Sequence, residues 1–201
     1  MSNDIISTLY DHYKDTCSII AEAIKRRDRL MLFVILALGF FAFDTVLPNA
    51  SNVAVNEFLN FKFGLNLNLN LAIVANVVWF LLLVFTLRYF QVAVFVERQY
   101  GYLHDTEEKL NKKAETELVT REGKSYLDKY PMFSNWMWLL YTIIFPLFLL
   151  VVSGVKIWGE LRYVCSTGLT GSLLLDSIVF VILVISTALY LTTIHKKSKD
   201  K

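Results

Sequence analysis

The stretch LAIVANVVWFLLLVFTL, residues 71–87, decides the reading of this chain. Only Asn76 and Thr86 interrupt its apolar run. At ~1.5 Å per residue, a helix of this length crosses most of a hydrocarbon layer ~30 Å thick. Arg88 and Gln91 follow in a sequence that stays apolar to Val96, and ERQYGYLHDTEEKLNKK, residues 97–113, is then strongly polar. Between residues 67 and 113 there is no proline and a single glycine, Gly101. The backbone therefore meets no demand for a break. The pattern predicts one helix that spans a membrane and continues into water as a stalk.

Three more segments, 30–47, 136–155 and 173–194, are long, apolar and nearly uncharged. In hydrocarbon every backbone amide needs an internal partner, which a helix supplies. The 201-residue chain is 55% hydrophobic with a mean hydropathy of +0.47, more apolar than an ordinary soluble domain. The expected fold is an all-α membrane protein with four transmembrane helices. The first apolar run starts only at Leu30, behind a polar stretch, and no small-residue cleavage site follows it. It reads as a retained span, not as a signal peptide.

The twenty Lys and Arg residues set the expected orientation. Five precede span one: Lys14, Lys25, Arg26, Arg27 and Arg29. Seven lie between spans two and three: Arg98, Lys109, Lys112, Lys113, Arg121, Lys124 and Lys129. Four lie in the tail: Lys196, Lys197, Lys199 and Lys201. The opposite side carries Lys62 and Arg162, with Lys156 near the boundary. The positive-inside rule then places both termini and the central region in the cytoplasm. Cys17 and Cys165 fall on opposite sides and cannot pair within a chain.

The expected organisation is a cytoplasmic amphipathic helix over 1–29, spans one and two over 30–96 with an outer loop at 48–70, and a cytoplasmic helical region at 97–133. Spans three and four then occupy 134–194, with an outer loop at 157–172, before a basic tail at 195–201. In the first helix Ile5, Ile6, Leu9, Tyr13, Cys17, Ile20 and Ile24 recur at spacings of three and four, a stripe expected to pack against the stalk. In the outer loop, LNLNLNL at 65–71 alternates with period two and suggests an extended segment, or else the frayed start of span two, while 53–63 suggests a short helix on the membrane surface. About 35 residues between spans two and three are too few for an independent core. Pro146 falls in mid-span, where it frees one backbone carbonyl and favours a kink.

No phosphate loop, nucleophile elbow or H-E-x-x-H occurs, and His12, His104 and His195 stand far apart. No enzyme activity, cofactor or metal is expected. Polar groups at membrane depth are the better pointers, because they are costly unless they face a cavity or a partner. Asn76, Arg88, Gln91 and Asp176 are the candidates for a pore or gate. Arg88 and Gln91, three apart, share a helix face. Arg88 has two readings: a charge at the inner mouth of a pore, or a side chain reaching the lipid headgroups. On the inner side Lys25, Arg26, Arg27, Arg29, Lys112, Lys113, Arg121 and Lys124 are candidates for binding an anionic ligand, whether nucleotide, short nucleic acid or lipid.

The helix ending in Lys25-Arg-Arg-Asp-Arg29 that enters a span, followed by a long span-to-stalk helix, resembles the SLATT-type membrane effectors of bacterial anti-phage defence, and also Hailong-type channel effectors. The block TREGKSYLDKYP, residues 120–131, is similar to an element of bacterial four-pass proteins. Four spans, where SLATT proteins have two, is a departure. The resemblance implies a bacterial inner-membrane protein forming a homo-oligomeric pore that opens when a nucleotide made by a partner synthase binds. A tetramer is a working subunit number, not one drawn from the resemblance. The alternative expectation is a membrane scaffold or sensor that recruits a cytosolic partner protein.

Overall fold

A computed structural model describes residues 2–64, 71–114, 132–167 and 171–199, and all of these except Leu47 and Gly64 are helical. The helices are α1 (Ser2–Val46), α2 (Pro48–Phe63), α3 (Leu71–Ala114), α4 (Met132–Leu139), α5 (Phe145–Thr167) and α6 (Gly171–Lys199), with a π-helical turn, Leu140–Ile144, joining α4 to α5. Ile73–Lys113, Trp136–Arg162 and Leu173–His195 are long and apolar enough to cross a membrane. A fourth crossing is counted if Ile6–Asp44 and Asn49–Lys62, bent by 119° at the break between them, form one span. The described residues are therefore helical throughout, apart from Leu47 and Gly64, with three to four candidate spans, consistent with a multi-pass membrane protein. The alternating segment at 65–70 and the turn region 115–131 lie outside the described residues.

Residues 2–46 form one continuous helix where a separate N-terminal helix and span were expected. No glycine or proline occurs before Gly39, so the Lys25–Arg29 run passes through without a break. The helix stops where Leu47 leaves helical geometry (φ −134°) and Pro48 opens α2. The Ser51 hydroxyl, wholly buried, donates to Asp44 Oδ1 at 2.8 Å across this corner. At its other end α2 closes on Gly64, whose φ of 62° is a left-handed cap conformation, with its N–H donating to Asn60 O.

α1 and α3 pack antiparallel along their lengths in a single register. Phe41 meets Trp79 edge-on at 5.3 Å, Phe33 meets Phe85 at 5.1 Å, and Tyr13 donates a hydrogen bond to Glu107. The 28 residues from Tyr13 to Phe41 match the 28 from Trp79 to Glu107. That interval is a multiple of seven, and the buried α3 residues Trp79, Leu82, Thr86, Tyr89, Ala93, Val96, Leu103, Glu107 and Leu110 follow the three-four alternation of a coiled-coil seam. On α1 the steps of seven fall on Tyr13, Ile20, Arg27, Val34 and Phe41.

The core divides into two clusters. The larger joins α1, α3, α5 and α6 around Val34, Trp79, Leu82, Leu149 and Leu183. The smaller lies toward the N-terminus of α1, where Tyr13, Ile20, Leu103 and Leu110 are buried and Ile6, Leu9, Cys17 and Ile24 pack against them. The expected stripe thus meets the far half of α3.

Pro146 acts through the π turn. Phe145 N–H reaches back to Leu140 O, and Pro146 has no N–H to give, so the Tyr141 carbonyl loses its normal helical donors. The Tyr89 hydroxyl of α3 donates to that carbonyl at 2.9 Å. An orphan backbone group in an apolar core is costly, and here a side chain from another helix satisfies it.

Candidate functional site: charged centres in the helix bundle

Two sets of charged or polar side chains lie within the apolar helices. The first is on α3. Arg88 and Gln91 are both exposed, three residues apart, and Arg88 Nη1 donates to Gln91 Oε1 at 3.2 Å. Among the described residues no carboxylate forms an ion pair with Arg88. The pair faces outward from the chain because Thr86 and Tyr89 occupy the seam, which turns positions 88 and 91 to the opposite side of the helix. Asn76 is half-buried, one turn before Trp79.

The second set is interior. The Lys156 ammonium of α5 pairs with Asp176 Oδ2 of α6 at 2.6 Å, and also with Glu160 one turn further along α5. Lys156 and Asp176 keep only 11% and 2% of their side-chain surface exposed, so this is a buried ion pair, not a surface one. The ammonium also lies 4.8 Å from the Trp79 ring centroid and 5.6 Å from that of Phe41, within cation–π range of both. Trp79 Nε1 donates to the backbone carbonyl of Asp176 at 3.3 Å. Residues from α1, α3, α5 and α6 therefore converge on one ammonium. In hydrocarbon such a charge persists only where it is paired and hydrogen-bonded.

The candidate residues for an anionic ligand divide by height. The α1–α3 register sets Lys25–Arg29 level with residues 91–95 of α3, close to Arg88 and Gln91. Lys112 and Lys113 lie nineteen and twenty residues beyond Ala93, roughly 30 Å along the helix. One small anion cannot touch both groups within a chain. Lys112 pairs with Glu108 at 2.8 Å, and Arg27 turns inward, pairing with Asp28 at 2.9 Å with its guanidinium 5.6 Å from the Tyr141 ring centroid. Lys25, Arg26, Arg29 and Lys113 are exposed, whereas Arg121 and Lys124 lie outside the described residues.

Sequence reasoning singles out Asp176 but sets Lys156 near a boundary and assigns Glu160 no role. A signal was present. Lys156-x-x-x-Glu160 is an i,i+4 pair inside an apolar helix, and a buried Asp176 requires a cation. Further down α3, burial and then the hydrogen bond to Glu107 raise the Tyr13 phenol above its ordinary range. Among the described residues no group of three or more His, Cys, Asp or Glu side chains could hold a metal. No protein-family model, curated protein or solved structure matches this chain.

Proposed function

We propose that the protein is a homo-oligomeric, ligand-gated membrane channel that acts as an effector in anti-phage defence, with both termini in the bacterial cytoplasm. The observation that carries this reading is the outward-facing Arg88–Gln91 pair on an apolar helix. A charge in that position calls for water or polar groups from outside its own chain. The interior of one chain is filled by Val34, Leu82, Leu149 and Leu183, none with exposed surface, so an aqueous path would form between subunits around an axis. Arg88 and Gln91 would line its inner mouth, with Lys25, Arg26 and Arg29 at the same level meeting lipid phosphates. Lys112 and Lys113 at the far end of α3, with Arg121 and Lys124 following them in sequence, would receive an anionic messenger and shift the closed–open equilibrium.

Ion flux through liposomes containing the pure protein, with and without candidate nucleotides, tests the proposal. Messenger-dependent flux is expected, with its anion preference reversed in Arg88→Glu; silence under all conditions refutes it. A second reading, a scaffold that recruits a cytosolic protein, draws on the exposed Tyr10, Ile19, Tyr100 and Tyr102 of the α1–α3 stalk. Co-purification of a stoichiometric soluble partner without conductance would favour it.

A further inference from the structure

We propose that Lys156, Glu160 and Asp176 form a binding centre for one additional monovalent cation, a proton or an alkali-metal ion, received at Glu160 Oε2. The inference is independent of the channel reading. It begins with a charge count: one ammonium faces two carboxylates, and the ionised centre carries a net charge of −1. Both carboxylates contact the same ammonium, which holds them near one another. An uncompensated charge away from water is costly, so a centre of this kind favours one more positive charge.

The geometry identifies where that charge would go. Asp176 Oδ2 and Glu160 Oε1 are both occupied by the ammonium. Glu160 Oε2 is buried and has no hydrogen-bond partner. A second orphan stands beside it in sequence: Ser153 is fully buried, its hydroxyl has no partner, and it lies three positions before Lys156 and seven before Glu160 on one face of α5. The rings of Phe41 and Trp79 present their negative faces to the centre, an arrangement that favours cations and opposes a second bare anion.

Other charged groups nearby are already engaged. The guanidinium of Arg162, two residues beyond Glu160, lies over the Trp158 ring, and Asp44, one turn beyond Phe41 on α1, accepts from Ser51. α3 contributes Trp79, which does not titrate. Access also differs within the centre. The Glu160 side chain keeps 31% of its surface exposed against 2% for Asp176, so exchange with the surroundings proceeds through Glu160. Proton binding adds H⁺ to Oε2 with no other bond made or broken, and the centre passes from −1 to neutral; an alkali ion makes the same charge change.

The test uses the full-length protein in detergent micelles. Melting temperature is followed while Na⁺ or K⁺ replaces choline at constant ionic strength, and infrared difference spectra are recorded across a pH step. An alkali site gives a saturable rise in melting temperature. A proton site gives the carbonyl stretch of a protonated carboxylic acid that titrates away. Either signature is expected to vanish in Glu160→Gln, which resembles the neutralised form and so should fold. It is also expected to vanish in Asp176→Asn, where the second negative charge is gone and the helical spectrum reports folding. Absence of both signatures in the wild type, or persistence of the observed one in either variant, overturns the proposal.

Discussion

The two charged regions of the helix bundle differ in whether they are closed. Around Lys156, four helices supply two carboxylates, two aromatic faces and a Trp79 hydrogen bond, so the ammonium is satisfied by its own chain. Around Arg88, among the described residues, one glutamine accepts a hydrogen bond from it, and both side chains point outward. A closed centre fixes how helices stand against one another. An open pair leaves part of its solvation to something outside the subunit, which is where a function is to be sought.

The sharpest way to break this comparison is Lys156→Met. It strands two carboxylates in the interior and is expected to cost about 3–5 kcal/mol, read from denaturant unfolding in micelles. A loss no larger than that of a surface substitution would show the centre to be dispensable. Tyr89→Phe removes the donor to the Tyr141 carbonyl beside the π turn, and about 1 kcal/mol is expected in the same assay.

The N-terminal part of the α1–α3 pair offers a pH test of a buried phenol–carboxylate contact. The Tyr13 phenol is held above its ordinary value of 10.0, first by burial and then by its bond to Glu107. The folded state thus retains a proton that the unfolded chain gives up near that value. This contribution is intact below pH ~10 and is lost as the pH rises through the higher folded value. An alkaline titration of helicity should show a step that Tyr13→Phe removes. The smallest effect on stability is expected from Arg88→Gln, within about 0.5 kcal/mol because, among the described residues, the hydrogen bond it gives up is the exposed one to Gln91. A large loss there would mean that Arg88 supports the fold, and the contrast between open and closed regions would fail.

Much of the architecture was legible in residue order. The continuity of α3 was readable because 67–113 lacks proline and carries one glycine, and the packing of Ile6, Leu9, Cys17, Ile20 and Ile24 on α3 was readable from their spacing. The continuity of α1 was not anticipated, because the change from a polar to an apolar stretch at Leu30 looks like a boundary while the backbone has no reason to stop there. The freed carbonyl at Pro146 followed from the missing N–H, but its partner, Tyr89, lies 52 residues away from the Tyr141 carbonyl it caps. Site residues were less legible. Asp176 was recognised as costly, yet its pairing with Lys156 spans 20 residues and a change of helix.

What the sequence alone determined is local: helical content, the long apolar segments, and the uneven spread of Lys and Arg between the stretches that join them. Each depends only on neighbouring side chains and the helical repeat. What the tertiary structure decided is rotation and register. Those choices turned Lys156 inward onto two carboxylates, turned Arg88 outward, and set Lys25–Arg29 roughly 30 Å from Lys112 along the α1–α3 pair. A helix face becomes an interior only when another helix covers it, and that depends on how all of them pack.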